Sequence, residues 1–543
     1  MTGGAVYTVD AARSWAQAVA VRDGRIVYVG SDAGARALVG PKTRVLSLEG
    51  RLVLPAFQDA HVHPVSGGIE LGQCNLNDLA TKEAILDQVR ACAAATDKAW
   101  IVGGGWPLPA FPNANPTKAL LDAIVPDRPV FLSAADGHSG WANSRALELA
   151  GITAATPDPE NGRIERDPGS GEPTGTLRES AQGLVDKHIP ETTPGERLEG
   201  LRRALALLNG YGITAVYEAN AGGGPKGGGR ETLEAYREAE RRGVLTLRVR
   251  ASLGTDPLRG PEQVDGLVAL RKEFTSPRLQ PVAAKVFLDG VIESRTAAML
   301  EPYDDKPGYR GEPRWSDSSL AALVSRLVDS DFAVHVHAIG DRAVRMGLDA
   351  FQASRKASAD RRLRHQIAHL QVIQLEDVPR FRALDVVANF EPLWAYADSY
   401  VRDLTWPALG PARSKRMYPI ADLARSGAVV SFGSDWSVSS PNPLEGIQVA
   451  VTRQAVDPKE RVEPMLPEQA VDLPTALAAY TIGAAYANGL DSETGSVEVG
   501  KLADLVVLSE DLFALDPHDI ARARVLLTLL EGRPVHRDPS IPW

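Results

Sequence analysis

Leu54-Pro-Ala-Phe-Gln-Asp-Ala-His-Val-His-Pro64 is an apolar run that ends in two histidines one residue apart. Successive side chains of a strand point to opposite faces, so His61 and His63 project from the same face. That spacing suits two imidazoles on one metal ion. A His-x-His pair also arises by chance or as a hydrogen-bonded core pair, so its meaning depends on whether further ligands follow at the ends of later strands.

Outward from this run, β-prone stretches alternate with helical patterns, which predicts a mostly parallel α/β architecture. Core strands are expected at Val53 to His63, Ile213 to Ala219, Thr246 to Leu253, Val282 to Leu288, Ala333 to Ala338, Gln366 to Leu370, Val386 to Phe390 and Val429 to Gly433. Helical segments such as Thr192 to Asn209, Glu231 to Arg242, Leu320 to Asp329 and Ile420 to Ser426 separate them. The alternation fits a TIM-type (β/α)8 barrel over residues 53–485. The interval from Pro64 to Tyr211 is too long for one crossover, so an inserted subdomain is expected after the first strand, at about residues 66–205. Helices near Thr81 to Ala95 and Ser144 to Ala150 and a strand at Pro129 to Ala134 belong to it. Short β-prone runs also open and close the chain, with Asp23-Gly24 as a hairpin signal. Residues 1–52 and 486–543 are expected to pair into one small β-sandwich, the alternative being two separate edge ribbons.

Active sites of such barrels lie at the C-terminal ends of the strands. His61 and His63 close the first expected strand, Lys285 lies within the fourth, His335 and His337 in the fifth, His369 near the end of the sixth, and Asp435 just after the eighth. Ten histidines occur in the chain, and five of them fall in three of these strands. Scattered structural histidines would not cluster so, and a metal site is the better reading.

Composition sets bounds on the rest. The 543 residues are 44% hydrophobic and 24% charged, ordinary values for a globular chain able to bury a large core. A net charge of -10 argues against a nucleic-acid surface built on excess positive charge. Cys74 and Cys92 are the only cysteines, too few for a thiolate zinc site, so any metal is held by His and carboxylates. Two free buried thiols are expected rather than a bridge between them. No apolar run is long enough to span a membrane, and cytoplasmic residence is the expectation, with an export segment removed upstream as the alternative.

Several motifs together resemble the amidohydrolase superfamily of metal-dependent hydrolases, in its YtcJ-like branch related to N-substituted formamide deformylase. They are Pro55-Ala-Phe-Gln-Asp-Ala-His-Val-His63, Asp136-Gly-His-Ser-Gly-Trp-Ala-Asn-Ser144, Gly175-Thr-Leu-Arg-Glu179, Lys285-Val-Phe-Leu-Asp-Gly290, His337-Ala-Ile-Gly-Asp-Arg-Ala343, Gly433-Ser-Asp-Trp436 and Gly495 to Asp504. The resemblance implies His61 and His63 as ligands of one metal, Lys285 as a bridging residue, His337 and His369 as ligands of a second, and Asp435 as a ligand and the general base and acid. A protonated lysine cannot donate to a cation, so Lys285 serves only as a neutral amine or as a carbamate formed with carbon dioxide. Two divalent ions are implied, zinc first, with iron, manganese, nickel or cobalt suiting the same donors. One metal with Lys285 unmodified is the alternative. His335 and His365 are the competing histidines, and the motif starting at His337 and the strand-end place of His369 favour the latter two. Ala56 replaces the family's usual glycine, and Ser437 its usual proline; neither change removes a ligand.

The function so implied is hydrolysis of a non-peptide C–N bond (amide, formamide, carbamate or cyclic amide) by a metal-activated water. An esterase or lactonase, or a non-catalytic small-molecule-binding barrel, are the alternatives. Substrate contacts are expected from His138, Trp141, Trp394 and Trp436, with Tyr396 nearby, against packing roles for each aromatic residue. Ser144 is the expected cap of the insert helix. Gly222 to Gly229, with six glycines in eight residues, reads as a surface loop rather than a lid. The partner is a small-molecule substrate, with room for a homodimer and with neither nucleic acid nor membrane.

Overall fold

In the computed structural model, residues 1–77, 79–221, 229–355 and 363–541 are described. The glycine-rich stretch lies, Gly229 excepted, outside them. The apolar run around Ala56 serves two sheets. Leu52–Pro55 lies parallel to Ala5–Tyr7 and antiparallel to Leu505–Leu508, while Phe57–Val62 starts a different sheet. The Ala56 N–H donates to Asp504 O at 2.9 Å and the next one, of Phe57, to Gly212 O at 3.0 Å, so the chain changes partners within one residue. The single strand expected at Val53 to His63 is therefore two. Every residue of both is buried, so no change of polarity marked the switch.

Phe57–Val62 (β1), Ile213–Ala221 (β2), Arg248–Gly254 (β3), Leu279–Phe287 (β4), Ala333–Ala338 (β5), Gln366–His369 (β6), Val387–Phe390 (β7) and Val430–Phe432 (β8) form one eight-stranded parallel sheet in chain order. Such strands are buried on both faces and read as near-continuous apolar runs, which is why they were legible. The sheet is curled into a nearly closed barrel. The N–H groups of Ser434 and Asp435, just after the edge strand β8, donate to His61 O of the other edge at 3.2 and 2.7 Å, and Asn389 Nδ2 of β7 donates to Ala60 O at 3.0 Å. Helices such as Pro194–Gly210, with a Thr193/Glu196 capping box and proline at its first position, cover the outside.

Both ends of the chain meet in a six-stranded sheet ordered Trp15–Ala16, Ala5–Tyr7, Leu52–Pro55, Leu505–Leu508, Val525–Leu530, Arg533–Arg537. One face sends Tyr7, Leu52, Leu54, Val506 and Leu508 into the main core. The other packs Val6, Val53, Leu505 and Val507 on Val19 and Ile26 of the hairpin Ala18–Arg22/Arg25–Gly30. That hairpin turns at Asp23 and Gly24, both at positive φ (51° and 78°), as a tight two-residue turn demands.

Between β1 and β2 lies a separate sheet of six strands, from Cys74–Asn75 to Pro173–Glu179. Its own core is built on Trp106, Phe111, Leu132 and Trp141. Asn143, not Ser144, caps the helix Ser144–Ala150, accepting from the Ala146 N–H. Cys74 and Cys92 are not free thiols: strand Cys74–Asn75 and helix Lys82–Ala95 bring their Cα atoms to 5.5 Å and the two are joined by a disulfide. The bridge closes a loop of 18 residues, so reduction is expected to destabilise the insert by roughly 3 kcal/mol. Thermal melts with and without reductant check this; coincident melts would mean that the bridge adds nothing. Among the described residues no helix is long and apolar enough to cross a membrane.

Candidate metal centre

Asp59 sets the geometry at the end of β1. Fully buried, it accepts from the backbone N–H of His61 (3.0 Å) and of Ser434 (3.1 Å) and from Ser434 Oγ (2.6 Å), tying β1 to the segment after β8. Burial pushes its carboxyl up to about 7. Gly433 makes the approach feasible, because a Cβ there would lie 2.7 Å from His61 N. Asp435 itself sits at φ 52°, and His369, at the end of β6, at φ 80°. Non-glycine residues in this region are held there by their surroundings, and such residues gather at functional sites.

The expected donors converge at the C-terminal end of the barrel. Asp435 Oδ1 lies 3.1 Å from His63 Nε2 and 3.5 Å from His61 Nε2. Lys285 Nζ is 3.2 Å from the same His61 nitrogen. His63 Nδ1 is 3.4 Å from Glu218 Oε1, whose other oxygen accepts from Tyr236 OH. Across the mouth, the ring of His369 lies 4.7 Å from that of His61 and 4.4 Å from that of His337. His337 Nε2 donates to Gly290 O at 3.1 Å, leaving Nδ1 as its available nitrogen. Among the described residues, the tight donor groups that could hold an ion are His61, His63 and Asp435, and His61, His369 and Glu391. His337 stands beside them without entering either.

His335 lies deeper, with Nε2 2.9 Å from His61 Nδ1 and Nδ1 3.0 Å from Ser252 Oγ, and serves as a support for His61. His365 accepts from the Val334 N–H and stacks on Phe351.

Burial and the neighbouring carboxylates act on the imidazoles in opposite directions. Burial drives His61, His335 and His337 to the neutral form, aided by the charge of Lys285 and neighbouring imidazoles. Burial also lowers Lys285, to about 8, against the pull of Asp435 and Glu391. At His63 burial is outweighed by Asp435 and Glu218, and the ring rises to about 9; Asp435 in turn is held below the usual carboxylate range despite its burial.

Three carboxylates stand out that the motif reading did not assign. Glu391 follows β7, is 1% exposed, and accepts from His369 Nδ1 at 3.0 Å, while its Oε1 has no hydrogen-bond partner. Glu218 closes on His63. Glu179 binds His138 Nδ1 (2.9 Å), Arg314 Nη2 (2.5 Å) and Thr296 Oγ1 (2.6 Å), and so clamps the insert to the loop after β4. The position of Glu391 and Glu218 at or just beyond strand ends was the available signal; Glu179 lay in a quoted motif.

The clamp holds the His138 ring 5.3 Å from that of His337. Trp394 stacks on His369 at 5.6 Å and 9°, its Nε1 donating to Ser439 Oγ. Trp436 is nearly buried against Gly67, and its carbonyl accepts from the His63 N–H. Trp141 does not reach the site: it is fully buried in the insert core, donating to Thr117 O. A cleft of about 1310 Å³ runs from His63 between Trp100, Ile69 and Arg203.

Glu179 also yields a pH prediction. Burial alone would raise its carboxyl, but the charges of His138 and Arg314 hold it down to about 2. The stability it contributes is therefore complete above the ordinary glutamate value near 4.3 and is lost as pH falls through 2. Glu179→Gln is expected to cost up to about 3 kcal/mol at pH 7, because it leaves the half-buried Arg314 guanidinium, and His138 when protonated, without a counter-charge. Denaturant melts of both proteins should show that difference shrinking toward pH 2; a pH-independent gap would contradict the assignment.

A family model described as Amidohydrolase family matches residues 44–536. The chain is 33% identical to Protein LONG AFTER FAR-RED 3 of Arabidopsis thaliana over 99% of its own length and 91% of that protein. It is 32% identical to N-substituted formamide deformylase of Arthrobacter pascens over 97% of its length and 96% of that enzyme. An uncharacterized metal-dependent hydrolase from Pyrococcus furiosus shares the fold with a TM-score of 0.71 and 26% identity, covering 94% of this chain and 98% of that one.

Proposed function

This chain belongs to the amidohydrolase family, and from that premise we propose that it is a metal-dependent hydrolase of a non-peptide carbon–nitrogen bond in a small molecule. An amide, formamide, carbamate or cyclic amide is the substrate class. The observation that carries the reading is the meeting of His61, His63, Lys285, His369 and Asp435 at one end of the barrel.

The donor set fits divalent cations. Three buried imidazoles (His61, His337 and His369), the half-buried one of His63 and the carboxylates of Asp435 and Glu391 face one another, and the Glu391 oxygen without a partner sits among them. A buried carboxylate oxygen left unpaired is costly unless a cation stands near. His61, His63 and Asp435 would hold one ion, His337 and His369 a second, with Lys285 between them. When bound, the ions (zinc, or iron, manganese, nickel or cobalt on the same donors) acidify a water and polarise the substrate carbonyl.

The protein's own groups do the remaining work. The Lys285 amine, pushed down to about 8 by burial, keeps a neutral fraction at physiological pH. Its lone pair can add to carbon dioxide, forming an N–C bond and releasing a proton, and the resulting carbamate offers two oxygens. Asp435, an ionised carboxylate, takes the proton of the attacking water and passes it to the departing nitrogen, which is a poor leaving group unless protonated. His138, with Nδ1 held by Glu179, turns Nε2 to the substrate, while Trp394 and Trp436 wall the site. The barrel, which starts at Phe57, the insert and the sheet of both termini divide the chain in this reading.

Incubating metal-loaded protein with N-substituted formamides, amides and carbamates beside matched esters tests it. Release of amine, with esters no better, is the expected result. Turnover confined to esters would move the assignment to an esterase or lactonase, and binding without turnover of any class would overturn it.

A further inference from the structure

We propose that Glu391 is a positioning residue of the metal centre, acting through His369; this rests on the metal-hydrolase reading above. The ring of His369 is fixed on every side. Its backbone turns into the left-handed region just where β6 ends, Trp394 covers one face, and the rings of His337 and His61 meet it edge-on. Only the two ring nitrogens are left to decide.

Glu391 decides between them. Its Oε2 lies 3.0 Å from His369 Nδ1, which also faces Asp435 Oδ2 at 4.0 Å; in the tautomer that donates from Nδ1 to the Glu391 carboxylate, Nε2 would be the lone-pair nitrogen left for a cation. A carboxylate acceptor also makes the imidazole a stronger donor to the metal, which is how ligating histidines are commonly tuned. Glu391 Oε1, 3.9 Å from His61 Nδ1 and without a hydrogen bond, adds negative charge to the donor cluster. His61 is set from the opposite side in the same manner: its Nδ1 pairs with His335 Nε2, whose other nitrogen faces Ser252 Oγ. The ligand nitrogens are thus selected by Glu391 on one side and His335 on the other, and the role assigned to Glu391 runs through the His369 ring.

Cobalt(II) uptake against a competing chelator tests this, with wild type, Glu391→Gln, His369→Asn and the double variant compared, and circular dichroism as the check on folding. Glu391→Gln is expected to weaken one cobalt equivalent by about 10–100-fold and to change its visible spectrum. On top of His369→Asn it should add no further loss, since the effect travels through that ring. Glu391→Asp, which keeps a carboxylate and is the safer variant for folding, should retain part of the affinity. Wild-type cobalt affinity in Glu391→Gln, or full additivity with His369→Asn, would overturn the proposal while leaving the hydrolase reading intact. Absence of cobalt uptake by the wild type would overturn both.

Discussion

Asp435→Asn is expected to lower turnover by about 10²–10⁴-fold, the usual weight of a positioned acid–base group. The substitution keeps the size of the side chain, and the backbone N–H of residue 435 that donates to His61 O is untouched, so the barrel should stay folded. What is lost is an oxygen that can take a proton: Asp435 Oδ1 stands within 3.5 Å of both His61 Nε2 and His63 Nε2. The loss should fall mainly on kcat rather than KM, because the carboxylate acts on protons in the transition state and not on the substrate's resting contacts. Steady-state kinetics on the best amide or formamide checks this. A rise in KM alone would assign Asp435 to binding.

Lys285→Ala should lower metal content and activity together, activity by about three orders of magnitude if the Lewis acidity of a paired site is worth several kcal/mol. Lys285 is fully buried within β4 with its amine 3.2 Å from His61 Nε2. Removing it leaves a cavity between the two groups of donors. Formate or acetate, which carry the two oxygens of a carbamate, should restore part of the activity and of the metal content. Rescue by short amines instead would show that the unmodified amine is the working form. Two tightly held metals in Lys285→Ala would show that it is no bridge.

Most of the barrel was readable because its strands are buried on both faces and so appear as short apolar runs between helical patterns. All eight expected positions are occupied by strands, with ends shifted by a few residues. The exception, Leu52 to Val62, is instructive: both halves are buried, and only their partners, Leu505–Leu508 for one and Ile213–Ala221 for the other, reveal two strands. Pairing is a long-range fact that local pattern does not carry. The disulfide was missed for the same reason, since an 18-residue separation does not say that a helix will lay Cys92 against Cys74. At the site, histidines were conspicuous because they are rare, while Glu391, Glu218 and Glu179 were hidden among 69 acidic residues. Trp141 was misjudged because a motif places a loop over the barrel but does not fix which side chain faces it.

The central claim is that the buried donors of this barrel hold metal. Elemental analysis of protein prepared without chelators, paired with intact mass under gentle conditions, tests it most directly. Close to two metals per chain, with the added mass of one carbon dioxide, is the predicted result. No metal bound, after reconstitution with zinc, manganese, nickel and cobalt in turn, would contradict it.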